Sequence, residues 1–285
     1  MGSFTSKITP ENNDRNINTR ENTKGNENFS NSMRPHRPPV SGNDALQGLV
    51  AAERIDGYML AISKNRYNRK ARFGNNYMPT FDVVQRSIPS PDPSQPWPSG
   101  KVLWMEPTAD GGLPHTRPPY YICMSKTYPE DKLKNTLLHE RIHISQRMHP
   151  NEWIDMIKNA WDMPVWNDVL PSNLEDRRRL NPDILMAPHF VWKNEYVPCS
   201  IFIDLTNPSL HNIQLVWYHI PSRTIRTDVS TVPGWQAFFG TIPHGEHPYE
   251  IAAYLLSDNS ASCPAKNAIK SVLFKLPVND KVGFF

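Results

Sequence analysis

The sequence has few cysteines, no long apolar run and little net charge. Cys123, Cys199 and Cys263 stand far apart with no Cys-x-x-Cys pair, which argues against a cysteine zinc site and a disulfide framework and predicts reduced, buried thiols. No stretch approaches the roughly 18 apolar residues of a membrane-spanning helix. The formal net charge of +3 is too small to indicate a nucleic-acid partner, because that inference needs a concentrated basic field.

The N-terminus also lacks the apolar segment of a secretory signal, so the sequence predicts an intracellular protein, either cytoplasmic or within an assembled particle. Gly2 followed by Ser6 fits the N-myristoylation pattern. A membrane is expected as a partner only if Gly2 carries that lipid, and a single acyl chain binds a membrane only marginally.

The chain divides by composition into a polar arm and a globular part. Residues 1–44 are rich in Asn, Ser, Arg and Glu without hydrophobic periodicity, which predicts a disordered arm that offers a contact to a larger assembly. Residues 45–285 are long enough to bury a core. Their basic stretch KNRYNRKARFG, residues 64–74, is more typical of a solvated face than of a nucleic-acid site, so nucleic acid is not the favoured partner.

Apolar and aromatic runs bounded by Pro and Gly turns predict strands, and apolar residues at helical spacing predict helices. The predicted strands are KVLWM and YYICMS, followed by VPCSIFIDL, IQLVWYHI and SRTIRTDV in a second β-rich segment at about 190–230. The predicted amphipathic helices are EWIDMIKNAW and PYEIAAYLLSD.

Between the first strands and these helices lies NTLLHERIHISQRMHP. Thr127 and Glu130 can form a capping box with Pro129 in the first turn, and Pro150 disfavours helical geometry just before it, so a helix is predicted over 128–148. One apolar stripe of this helix is expected to face the core, and it consists of Leu133, Leu137, Ile144 and Met148.

Two histidines four residues apart, His139 and His143, lie on one face of that helix, so their ring nitrogens can converge on one ion. Glu140 cannot point in the same direction, but it can reach a water at the ion and act as a general base. Arg141 and Arg147 are expected to solvate the outer surface of the helix.

Residues 139–143 spell HExxH, and the motif resembles that of the zincin metallopeptidases. The resemblance implies an α+β zincin-like domain in which the active-site helix packs beside a small mixed sheet. It also implies one Zn²⁺ and hydrolysis of a peptide or protein substrate. Gln146 matches the HExxHxxQ variant of several uncharacterised zincin families and is expected to form a hydrogen bond behind the ligands.

A catalytic zinc usually takes three protein ligands, and the third is expected on a later helix. His149 has the metzincin spacing, but Gln146 replaces the glycine that ends the helix in that family, so a continuing helix would turn His149 about 120° away. Glu250, followed by the small Ala252 and Ala253, resembles the gluzincin ligand on a downstream helix. Its distance along the chain from HExxH is longer than in compact gluzincins.

The sequence leaves open the third ligand, the residue that stabilises an oxyanion and the class of function. Alternative ligands near Glu250 are Glu246, His244 and His247. The candidates for stabilising an oxyanion, between which the sequence does not choose, are His219, Tyr249, Tyr254 and His189. An alternative class of function is a non-catalytic structural or assembly component on a zincin-like scaffold, whose metal site is vestigial or only stabilising.

Overall fold

The computed structural model describes residues 42–73, 97–242, 245–258, 260 and 262–273, which form an α+β fold, as the sequence predicts. Its α-helices are α1 (Gly42–Asp56), α2 (Tyr58–Lys64), α3 (Arg66–Phe73), α4 (Glu130–Met148), α5 (Pro150–Trp161), α6 (Ser172–Glu175), α7 (Trp235–Phe239), α8 (Pro248–Ser257) and α9 (Pro264–Val272). Its strands are β1 (Lys101–Met105), β2 (His115–Arg117), β3 (Tyr121–Ser125), β4 (Val165–Trp166), β5 (His189–Phe190), β6 (Tyr196–Phe202), β7 (Ile213–His219) and β8 (Thr224–Arg226). The predicted disordered arm lies outside the described residues except for 42–44, which begin α1.

The first sheet is small and mixed. Its strand order is β1-β3-β2, with β1 parallel and β2 antiparallel to the central β3. Every residue of β3 is buried, which suits a central strand covered on both faces. Helix α4 packs on this sheet through the predicted stripe, in which Leu133 and Ile144 are buried and Leu137 and Met148 are partly buried.

The second β-rich segment is the antiparallel sheet β6-β7-β8. Strands β6 and β7 pair along their whole length, from Tyr196 opposite His219 to Phe202 opposite Ile213. A separate two-stranded ribbon pairs β4 with β5. Strands β6, β7 and β8 lie where the runs of β-branched and aromatic residues predict them, whereas the two-residue strands β4 and β5 are too short to be predicted in this way.

The start of α4 differs from the predicted capping box. The helix begins at Glu130 with Pro129 as its N-cap and without a side-chain capping bond. Thr127 is occupied elsewhere, because its hydroxyl and its N–H both bind Ser125 Oγ at the end of β3. The predicted end of the helix is confirmed at Met148.

Helix α4 is buried on two sides. Ile144 faces the first sheet, whereas Ile142 packs into a larger cluster that also contains Trp153 and Trp217. This cluster joins α5, α7, α8 and α9, and Trp161 Nε1 donates to the carbonyl of Ala265 at 2.9 Å. Seven of the eight tryptophans are buried, so they contribute to the core.

The basic stretch 64–74 is not a uniform solvated face. Arg72 is buried, and its Nε donates to Tyr58 Oη at 2.6 Å and to Asp110 Oδ1 at 3.1 Å. Its Nη1 donates to Asn68 Oδ1 at 2.8 Å. Among the described residues, no helix combines the length and apolar character needed to cross a membrane.

Because α4 is packed from both sides, shortening a buried side chain on either side of the helix should destabilise the fold. We expect Ile142→Ala and Ile144→Ala each to lower the free energy of unfolding by about 2–5 kcal/mol in urea denaturation. Lys134→Ala, on the exposed part of the same helix, should change it by no more than about 0.5 kcal/mol. An isoleucine variant as stable as the lysine variant would contradict this packing.

Candidate metal centre

Three potential ligand atoms converge between α4 and α8. The Nε2 atoms of His139 and His143 lie 3.0 Å apart, and Glu250 Oε2 lies 3.4 Å and 3.5 Å from them, respectively. A tetrahedral zinc with bonds of 2.0–2.1 Å separates its donor atoms by about 3.3 Å. The donor set and its spacing therefore fit a zinc ion.

The local sequence explains why Glu250 reaches this place. Helix α8 starts at Pro248, with His247 as the N-cap whose Nδ1 accepts from the Tyr249 N–H at 3.1 Å. Glu250 consequently lies in the first turn. Ala252 and Ala253 are fully buried, and α8 packs along α4, in agreement with the close approach that small residues permit.

Gln146 orients one of the histidines from behind. Its Nε2 donates to the Tyr249 carbonyl at 3.0 Å, which determines which end of the amide faces His143. Gln146 Oε1, 2.7 Å from His143 Nδ1, therefore accepts the proton of that nitrogen. His143 Nε2 is left to face the cluster, in the arrangement that ligand histidines usually show.

At each of the three donors, burial and the neighbouring charged groups shift the pKa in opposite directions. Burial alone would raise the pKa of Glu250, but His143 and His139 hold it well below its usual range. Burial alone would lower the pKa of His143, but Glu250 and Asp183 outweigh that effect and raise it to about 10. Burial lowers the pKa of His139 despite its bond to Glu250. The cluster is thus a carboxylate that faces one protonated and one neutral histidine.

Glu140 lies beside this cluster with one oxygen unpaired. The residue is 3% exposed, and its Oε2 is buried without a hydrogen-bond partner. Burial and the nearby charge of Asp183 raise the pKa of Glu140 well above its ordinary value. Because an unsatisfied buried carboxyl oxygen is costly, its presence here points to a functional role.

A cavity of about 410 Å³ gives access to His139, Glu140 and Glu250, and its size is typical of a ligand site. Helices α4 and α8 form two of its walls, and the segments 113–115 and 179–183 contribute further residues. Tyr254, one of the four predicted oxyanion donors, also lines this cavity.

The structure does not bring His219 to the cavity. Its ring lies on the second sheet, with Nδ1 2.6 Å from Ser222 Oγ and Nε2 3.3 Å from Glu195 Oε2. His189 belongs to β5, and its ring packs against Trp166. Both histidines are held by β structure that contributes no residue to this cavity.

Tyr249 is likewise directed into the core. Its ring packs against Trp153 and Phe190, and its hydroxyl approaches the Pro150 carbonyl at 3.5 Å. Tyr249 contributes to the site through its carbonyl, which accepts the hydrogen bond from Gln146, and not through its hydroxyl.

The alternative ligands have other partners. Glu246 Oε1 accepts from Arg179 and from Asn181 Nδ2. His247 Nε2 donates to the Pro188 carbonyl at 2.9 Å, and burial lowers the pKa of this histidine to about 3. His244 lies outside the described residues. His149 ends α4 and precedes α5 without joining the cluster.

The two arginines of α4, Arg141 and Arg147, bind backbone carbonyls instead of extending into solvent as the sequence predicts. Arg147 Nη2 donates to the carbonyls of Thr116 and Pro182, each at 3.0 Å, and Arg141 Nε donates to the Pro98 carbonyl at 2.9 Å. The prediction was wrong because their partners come from distant segments, which helix periodicity does not reveal.

Asn181 and Asp183 were not identified from the sequence either. Asn181 Nδ2 donates to Glu250 Oε1 at 2.6 Å, and Asp183 lines the cavity with Glu140. The run Asn-Pro-Asp at 181–183 does predict a turn. A turn signal does not indicate which carboxylate the turn will meet.

Comparisons of the chain with models of protein families, with curated proteins and with solved structures find no match. The chemistry of the site, rather than similarity to known proteins, therefore indicates the function.

The three converging atoms predict which substitutions would prevent the binding of zinc. His139→Ala, His143→Ala and Glu250→Gln should each bind far less zinc than the wild-type chain, which should hold about one ion. His149→Ala should bind as the wild type does, since His149 lies outside the cluster. Equilibrium dialysis followed by elemental analysis measures this, and equal loss in the His149 variant would contradict the ligand assignment.

The hydrogen bond from His143 Nδ1 to Gln146 predicts that substitutions of Gln146 weaken zinc binding less than substitutions of the three ligands do. Gln146→Met keeps the length of the side chain but removes both hydrogen bonds, so the zinc dissociation constant should rise about 10- to 100-fold. Gln146→Glu keeps an acceptor for His143 Nδ1 and should retain most of the affinity. Competition with a chromogenic chelator compares the variants, and wild-type affinity in Gln146→Met would refute the orienting role.

Proposed function

We propose that the protein is a zinc-dependent hydrolase of peptide bonds with a gluzincin-like centre. One observation carries this proposal: His139, His143 and Glu250 present three ligand atoms within 4.8 Å of one another, and Glu140, which has an unpaired oxygen, lines the same cavity. The same four residues are the ones that the HExxH motif and the downstream glutamate predict.

The number of donors favours a catalytic ion over a structural one. Structural zinc sites are usually closed by four protein ligands, whereas catalytic sites use three and leave one position open. Within the described ranges the cluster consists of two histidines and one glutamate. It also borders a cavity rather than packed side chains alone, which supports the catalytic alternative.

Glu140 is suited to proton transfer. A divalent ion bound by the three donors supplies Lewis-acid polarisation of a carbonyl and positive charge that favours ionised carboxylates around it. Glu140 then accepts a proton from water in the cavity and returns it to the leaving amine. Tyr254 lies one turn after Glu250, and burial together with its hydrogen bond to Asp258 raises its pKa. Its hydroxyl therefore stays protonated, and it becomes a donor to an oxyanion on exchanging Asp258 for the substrate.

The surroundings of α4 also support the proposal. This helix lies beside a small mixed sheet whose edge strand β2 is antiparallel to its neighbour, an arrangement similar to that of zincins. A cavity of about 410 Å³ admits a few residues of an extended chain rather than a folded domain. The proposed substrate is therefore a peptide or a flexible segment of a protein.

We also propose an intracellular location. All three cysteines are free, and Cys123 and Cys199 are buried, as is typical of proteins in a reducing compartment.

The decisive experiment is Glu140→Gln in the zinc-loaded chain. Glutamine keeps the volume of the side chain but cannot accept the proton, so hydrolysis of a fluorogenic peptide mixture should fall about 10²- to 10⁴-fold. Zinc content and unfolding temperature should stay close to those of the wild type. Equal hydrolysis by both zinc-loaded proteins would remove Glu140 from the proposed role.

His139→Ala separates this proposal from that of a structural component with a stabilising ion. A catalytic ion predicts loss of hydrolysis with the fold retained, whereas a stabilising ion predicts loss of folding. Circular dichroism and the hydrolysis assay on the same sample distinguish the two outcomes.

A further inference from the structure

The two carboxylate oxygens of Glu250 have different partners. Oε2 faces the histidines, whereas Oε1 accepts from Asn181 Nδ2 at 2.6 Å. A hydrogen bond to one oxygen restricts rotation of the carboxylate, so it also determines where the other oxygen points. From this division of contacts we infer that Asn181 is a positioning residue for the metal centre, an inference that rests on the proposed function.

Asn181 is itself held in one orientation. Its Oδ1 accepts from the Asp183 N–H at 3.0 Å, and its Nδ2 donates to Glu246 Oε1 at 3.0 Å as well as to Glu250. The oxygen end of the amide therefore meets a donor, and the nitrogen end meets two carboxylates. The side chain is 8% exposed, so water does not compete freely for these bonds.

The backbone that carries Asn181 is tied to the rest of the centre. Leu180 N–H donates to Asn68 Oδ1 at 2.8 Å, and the Pro182 carbonyl accepts from Arg147 Nη2 at 3.0 Å. Arg147 belongs to α4, which also carries both histidines. The segment 179–183 thus connects the helix of the histidines with the carboxylate on α8.

The neutral charge of the amide matters for a cation site. Glu246 is paired with Arg179, and Asn181 contributes no charge of its own. Asn181 therefore orients Glu250 without cancelling the negative charge that attracts a cation. A lysine or arginine in this place would form an ion pair with Glu250 and compete with the metal.

Two substitutions in the full-length chain test this role. Asn181→Ala removes the amide, and Asn181→Leu removes it while keeping a similar side-chain volume, in case the smaller residue destabilises the fold. The matched control is Asn68→Ala, because Asn68 is also a buried asparagine that binds the same segment but does not contact Glu250. Zinc affinity is measured by chelator competition.

We expect both Asn181 variants to raise the zinc dissociation constant about 10- to 100-fold. The visible absorption of bound Co²⁺, which reports the geometry around the ion, should change in these variants. Asn68→Ala should lower the unfolding temperature while its zinc affinity and Co²⁺ spectrum stay close to those of the wild type. If a variant is partly unfolded, the zinc-induced rise in its unfolding temperature gives the affinity.

Two results would overturn the inference while leaving the proposed function intact. One is wild-type zinc affinity with an unchanged Co²⁺ spectrum in both Asn181 variants. The other is equal loss of affinity in Asn68→Ala, which would mean that loosening the segment is sufficient. Failure of the wild-type chain to bind zinc would instead refute the proposed function and the inference with it.

Discussion

The packing of α8 against α4 is the interaction on which the candidate metal centre depends. His139 and His143 lie on one face of α4 by helix geometry alone. Glu250 comes much later in the chain and meets them only because α8 packs along α4. Ala252 and Ala253 are fully buried in α8, so a larger side chain at either position would have to displace the core residues packed around this helix.

A buried group of two imidazoles and two carboxyl groups is expensive unless its polar atoms have partners. Gln146 provides such a partner for His143, and Asn181 provides one for Glu250. Both are neutral amides, so they orient the ligands without changing the net charge of the site. Glu140 keeps one buried oxygen unpaired, and its side chain lines the cavity beside the cluster.

Much of the fold could be predicted from local patterns. The end of α4, the strands β1 and β3 and the helices α5 and α8 follow from hydrophobic periodicity and from prolines at their ends. The start of α4 could not, because Thr127 binds Ser125 in the preceding strand instead of capping the helix. The buried hydrogen bonds of Arg147 could not be predicted either, since its partners Thr116 and Pro182 are close to it only in the folded chain.

The sequence by itself determined which residues lie on neighbouring turns of α4, because helical spacing alone places His139, Glu140, His143 and Gln146 relative to one another. Only the tertiary structure decided which carboxylate completes the cluster and which polar groups hold it. Glu246 lies just before α8 and Glu250 in its first turn, yet of these two only Glu250 faces the histidines. That choice depends on helix packing and on the path of the segment 179–183, which are long-range properties that no local pattern encodes.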